Sequence, residues 1–155
     1  MNIIDVLQKE NINLNLAAEK KNEAITELLE LLKKNSLIAN VKEIKKAILE
    51  REAIISTGIG KGIGVPHCRT IHTDKIILAV GRSKKSIEDY ESFDEEPVKL
   101  IFLLISPEDE PNEHINMLAR ISRILKQDFI RNSLLSATSA KKFYEILKNE
   151  DKRFL

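Results

Sequence analysis

Two runs, Ile76-Ile77-Leu78-Ala79-Val80 and Leu100-Ile101-Phe102-Leu103-Leu104-Ile105, are apolar at every position. A strand sends successive side chains to opposite faces, so these runs belong in a sheet covered on both sides. Both are far shorter than the roughly 20 residues that a membrane helix needs. Residues 82–97 between them read as a loop or hairpin, which argues against a strictly parallel, doubly wound sheet.

The cover comes from helices. Ile3, Ile4, Val6 and Leu7 predict a short opening helix, and Ile12, Leu14 and Leu16 alternate with Asn at strand spacing. Ile25, Leu28, Leu29 and Leu32 recur at helical spacing between Asn22 and Lys33-Lys34-Asn35, a helix of about three turns with basic residues at its negative end. Asn40 is placed to cap the next helix, with Glu43 in a capping-box position and Val41, Ile44, Ala47 and Ile48 on its inner face. That helix ends near Arg51 and Glu52. After Pro107 and Pro111, Asn112 is the expected cap of a helix with His114, Leu118, Ile121 and Leu125 in one stripe. Two shorter helices close the chain, one with Phe129, Ile130, Leu134 and Leu135, the other capped near Ser139 with Phe143, Ile146 and Leu147.

The expected fold class is therefore α/β, a single-domain layered sandwich over residues 1–155 with a mixed central β-sheet flanked by helices. Lys and Arg total 25 against 24 for Asp and Glu, so no general electrostatic pull toward nucleic acid or an anionic membrane is expected. A lone cysteine, Cys68, and an opening stretch without a basic n-region fit a cytoplasmic protein.

The chemistry concentrates in Ser56-Thr57-Gly58-Ile59-Gly60-Lys61-Gly62-Ile63-Gly64-Val65-Pro66-His67. Its glycines lack the Gly-x-Gly-x-x-Gly register of dinucleotide folds, and Gly60-Lys61 is followed by Gly62 where a P-loop needs a hydroxyl. The segment instead delivers His67 on a constrained backbone, because Pro66 fixes its own φ and biases Val65 toward the β region. Cys68, His67, His72 and His114 offer neither a Cys-x-x-Cys pair nor a helical His-x-x-x-His pair, so metal binding is not expected. Cys68 reads as a small packing residue.

Arg51-Glu52 at a helix end, the glycine-rich segment through His67-Cys68, the Glu-Pro-Val before the second apolar run, and Pro107 to His114 leading into an apolar helix together resemble the type-2 EIIA domains of the bacterial sugar phosphotransferase system (PTS). This is the fructose, mannitol and nitrogen-regulatory family, and the likeness is greatest to the fructose-specific component. It covers essentially the whole chain.

The resemblance implies that His67 accepts a phosphoryl group from phosphorylated HPr and passes it to an EIIB domain, with no cofactor. It implies Arg51 as the active-site arginine and His114 as the second histidine, hydrogen-bonded to the phosphoryl group but not itself phosphorylated. Glu52 is expected to orient Arg51, and Thr57 either lends a hydroxyl or caps a turn. Chemistry agrees on the first residues: neutral imidazole is a good nucleophile near pH 7, and a planar guanidinium suits two phosphoryl oxygens. With Asn112 as cap, His114 falls in a first turn whose free N–H groups favour an anion.

Two positions depart from the family pattern. Gly64 stands where alanine is frequent, which is expected to loosen the loop, and Cys68 stands where glycine is commonest. The acidic run Glu108-Asp109-Glu110, with Glu113, is either a solvated loop or a surface that steers a basic carrier. A sugar-uptake component and a nitrogen-type regulatory module need the same acceptor site, so both readings stand.

Overall fold

Alternate residues of the two apolar runs go to opposite faces of one sheet. The computed structural model describes residues 1–153. In it β5 (Ile77–Ile87) and β6 (Val98–Pro107) pair antiparallel, with Ile77 opposite Ile105 and Ile87 opposite Val98. Leu78, Val80, Leu100, Phe102 and Leu104 join one buried cluster, while Ile77, Ala79, Ile101, Leu103 and Ile105 join the other. The segment read as a loop or hairpin is thus a hairpin whose first arm runs on to Ile87.

The sheet is mixed. β1 (Leu7–Leu16) lies parallel to β5, and β6 is flanked on its other side by β3 (Ile63–Gly64) and β4 (His67–Thr70), both parallel to it. β2 (Gly58–Gly60) pairs antiparallel with β3. One face is covered by α2 (Lys21–Lys34) and α3 (Val41–Ile54). The other is covered by α4 (Pro111–Leu125), α5 (Asp128–Ser136) and α6 (Ala140–Lys152), with α1 (Ile3–Val6) contributing Ile3. This is the expected layered sandwich.

Several boundaries differ from the expectation. Leu7 opens β1 instead of closing the first helix, and α2 starts at Lys21, one residue before Asn22, and spans 14 residues. Asn40 does precede α3, but it forms no side-chain cap: its Nδ2 donates to His72 Nδ1 at 3.0 Å. α3 runs past Arg51 and Glu52 to Ile54, which is exposed. α4 begins at Pro111, with Glu110 at the cap position and Asn112 inside the first turn. Proline at N1 sacrifices a donor that would have no helical partner anyway. Ser139 caps α6 as expected, accepting from Lys142 N at 3.1 Å. In α5, Ile130 and Leu134 are buried while Phe129 is exposed.

The glycine-rich segment is a tight hairpin laid along β6. Gly60, Lys61 and Gly62 take positive φ (89°, 58° and 80°), which glycine adopts without strain, and Lys61 N–H donates to Asp94 Oδ2 at 2.7 Å. Val65 N donates to Thr57 O at 3.0 Å and closes the loop on itself. Pro66 has no N–H to give, but its carbonyl accepts from Leu104 N at 3.0 Å. The chain thereby re-enters the sheet as β4, with His67 opposite Leu104.

Candidate active site

β4 pairs with β6 alone among the described strands, so helices from the two faces of the sheet approach each other beyond it. α3 brings Ala47, Arg51 and Ile54; α4 brings Pro111, His114, Ile115 and Leu118; His67, Cys68 and Arg69 come from β4. Together they line an open cleft of about 540 Å³. The three principal residues expected from sequence, Arg51, His67 and His114, therefore share one cleft. His72 does not join them: it lies in a separate, wider depression of about 780 Å³ beside Asn40.

His67 is half-buried, and its Nδ1 lies 2.7 Å from Val65 O. A carbonyl only accepts, so Nδ1 carries the proton and Nε2 is left with the ring's lone pair. Burial holds the His67 pKa below the ordinary 6.5; the Val65 hydrogen bond opposes this, and the Arg51 charge lowers it further. The imidazole is neutral at pH 7, with its nucleophilic nitrogen defined.

The His114 ring lies 5.3 Å from that of His67, centroid to centroid, at a tilt of 53°. It is buried, with Nδ1 2.6 Å from Ser106 Oγ. Burial first, and then the charge of His67 in its protonated form and of Arg69 and Arg51, lower its pKa from 6.5 to about 4. Its backbone N–H donates to Glu110 O at 3.1 Å, because α4 starts at Pro111. The expectation of a free His114 amide in an Asn112-capped turn is thereby corrected: an anion could find only the N–H groups of Asn112 and Glu113 there.

Arg51 sits in the last turn of α3, where a cation suits the helix dipole. Its Nη1 is shut off from solvent and has no hydrogen-bond partner among the described residues. A buried guanidinium donor without an acceptor is costly unless something binds it.

Glu52 and Thr57 are arranged differently from the expectation. The buried Glu52 carboxylate accepts from Thr57 Oγ1, from Thr57 N at 3.2 Å, from Tyr90 Oη at 3.3 Å and from Lys21 Nζ at 3.4 Å. No hydrogen bond or ion pair joins it to Arg51 among the described residues. The Thr57 hydroxyl is committed to Glu52 and lies 2.5 Å from Tyr90 Oη, so it does not face the cleft. These residues anchor the end of α3 to the start of the glycine hairpin. Gly64 is not loose either: a methyl group there would sit 2.7 Å from Tyr90 Cζ. Cys68 is buried in the core beneath α2 and α3, and burial pushes its thiol up to about 12.

Three contributors were missed in the sequence reading. Arg69 follows from the period of two, which puts it on the face of His67. Ser106 is the one hydroxyl closing an apolar strand, and Ile115, exposed on α4, forms part of the rim. Only the tertiary pairing links Ser106 to His114.

Comparison with known proteins adds an independent line. Residues 5–150 match the family model described as phosphoenolpyruvate-dependent sugar phosphotransferase system, EIIA 2. The chain is 38% identical over 152 residues to the PTS system fructose-specific EIIABC component of Bacillus subtilis, a match covering 98% of this chain and 24% of that relative. The chain thus spans about a quarter of the length of that relative. Among solved structures, the nitrogen regulatory protein IIA-Ntr from Neisseria meningitidis superposes with a TM-score of 0.85 at 29% identity, covering 92% of this chain and 97% of that one. Enzyme IIAMTL from Escherichia coli, in complex with phosphorylated enzyme IIBMTL, gives a TM-score of 0.76 at 25% identity, covering 92% and 97%.

Proposed function

Because the chain belongs to the EIIA type-2 family of the phosphotransferase system, whose domains transfer phosphoryl groups, we propose that it is a cytoplasmic phosphocarrier working through His67. Phosphorylated HPr is the donor and an EIIB domain the acceptor. The Escherichia coli complex of a IIA with a phosphorylated IIB supports that class of acceptor. Residues 1–155 act as one such domain.

The observation that carries this reading is that Arg51, whose guanidinium keeps one nitrogen without a partner among the described residues, lines the same cleft as a neutral, tautomer-defined imidazole. In the transfer, the Nε2 lone pair of His67 attacks the phosphorus, the N–P bond to the donor histidine breaks, and the electron pair returns to the donor ring. When a cysteine thiolate of EIIB takes the group, the sulfur attacks the phosphorus, the P–Nε2 bond breaks and the electron pair returns to the His67 ring. Charge spreads over the phosphoryl oxygens in a loose transition state, so alignment and charge stabilisation dominate. Arg51 supplies the cation and His114 a hydrogen bond. Glu52 and Thr57 hold the backbone that carries the site and do not touch the phosphoryl group.

Similarity to the fructose-specific EIIABC component favours sugar uptake, with fructose-type chemistry downstream. The backbone match to IIA-Ntr supports a second reading, a regulatory module whose His67 phosphorylation controls a partner protein. Incubation with phosphorylated HPr, followed by addition of EIIB domains of known sugar class, separates them. Label passing through the protein to an EIIB supports uptake, while label retained against every EIIB favours the module. A His67→Ala variant that still accepted phosphate would refute the site.

A further inference from the structure

We propose that Ser106 is a positioning residue for phosphoryl transfer: its hydroxyl donates to His114 Nδ1 and holds the imidazole as the tautomer with its proton on Nε2. The inference rests on the reading of the cleft as a phosphotransfer site.

Ser106 lies in β6 opposite Arg69 and is 0% exposed. Its Oγ is 2.6 Å from His114 Nδ1, and that contact is the only hydrogen bond of the hydroxyl among the described residues. Two arrangements of the hydrogens fit the distance. With the proton on Nδ1, the ring donates to Oγ and the serine hydrogen is left buried without an acceptor. With the proton on Nε2, serine donates to the Nδ1 lone pair and the buried hydroxyl hydrogen has its acceptor. Buried donors without acceptors are rare, which selects the second arrangement.

The selected tautomer matters because phosphoryl oxygens only accept. His114 stays neutral at pH 7, its pKa lying near 4, so it has one N–H to offer. On Nε2 that N–H serves the phosphoryl group across the short gap to His67. On Nδ1 it would leave a lone pair opposing negative oxygens. Ser106 thus acts through His114, as the second partner of a ligating or catalytic histidine commonly does.

The test is a long-range 1H–15N spectrum of the 15N-histidine-labelled full chain at pH 7, together with transfer rates from phosphorylated HPr. The expected result is a pyridine-like Nδ1 and a pyrrole-like Nε2 for His114. The reverse pattern overturns the inference without any variant. In Ser106→Ala the single tautomer gives way to a mixture and the transfer rate falls roughly tenfold, less than the 10²–10³ of deleting a donor outright, because the imidazole remains. Ser106→Thr keeps a hydroxyl and restores both readouts. An unchanged spectrum and rate in Ser106→Ala overturn the proposal; should that variant fail to fold, the wild-type spectrum and Ser106→Thr decide it. Failure of the parent reading looks different: wild-type His67 takes no label, which removes the catalytic half of the inference whatever the tautomer.

Discussion

Replacing Gly64 with alanine adds one methyl group where Tyr90 already stands. The new Cβ would lie 2.7 Å from Tyr90 Cζ, 2.8 Å from Cε2 and 3.0 Å from Oη. Gly64 has no positive φ, so alanine meets no backbone objection and the whole cost is steric. Neither partner can retreat easily. Gly64 is paired with Gly58 on one side and Ile101 on the other, and Tyr90 is 1% exposed with its hydroxyl against Glu52 and Thr57. Overpacking costs about 1–3 kcal/mol, and a shifted ring gives up a buried hydroxyl bond worth about 1 kcal/mol more. The expected loss is about 2–4 kcal/mol, read from urea unfolding followed by circular dichroism. At about 2–4 °C per kcal/mol, the midpoint of thermal unfolding falls by roughly 5–15 °C. Tyr90→Leu removes the obstructing atoms, so in that background Gly64→Ala costs less than about 1 kcal/mol, a coupling of the size that contacting residues show. A Gly64→Ala protein as stable as wild type would refute the steric argument, and so would costs that simply add in the double variant.

Three other outcomes follow from the site. Arg51→Ala slows phosphate acceptance by roughly 10²-fold while leaving stability within about 0.5 kcal/mol of wild type, and Arg51→Lys recovers only part of the rate because it lacks the planar fork; stopped-flow transfer from phosphorylated HPr reads both. Glu52→Ala leaves Thr57 N, Tyr90 Oη and Lys21 without their common acceptor and costs about 2–4 kcal/mol in urea unfolding, whereas the folded fraction still accepts phosphate. His114 titrates near 4 when folded and 6.5 when unfolded, so the unfolded chain binds the extra proton between those values. The resulting stability is fully present above pH 6.5 and is lost as pH falls toward 4, by about 3 kcal/mol at most; His114→Asn lacks this component of the acid dependence.

The layered sheet was legible because two strands apolar on both faces admit few other architectures, and the hairpin between them needed only one connection. Helix ends were harder to read. Asn40 and Asn112 are both good caps by type, yet Asn40 is drawn to His72 and Asn112 is displaced by Pro111, which prefers the first helical position. Motif and chemistry singled out His67, Arg51 and His114 as candidates, and the structure brings the three into one cleft beside β4. Glu52 was misread because adjacency to Arg51 in sequence says little about direction on a helix: neighbours there point about 100° apart. Glu52 turns to Thr57 and Tyr90, while Arg51 lines the cleft. Tyr90 and Ser106 carried no local signal. Each matters through a partner far away in sequence, Gly64 for one and His114 for the other.

On the proposed function His67 carries the phosphoryl group on Nε2, since Nδ1 is held by the Val65 carbonyl. Phosphorylation of 15N-histidine-labelled protein with phosphorylated HPr, followed by 31P–15N coupling measurements in basic solution, tests this most directly. One phosphorus is expected, acid-labile and base-stable, coupled to Nε2 of His67. Coupling to Nδ1, attachment to His114 or any other residue, or no incorporation would contradict it.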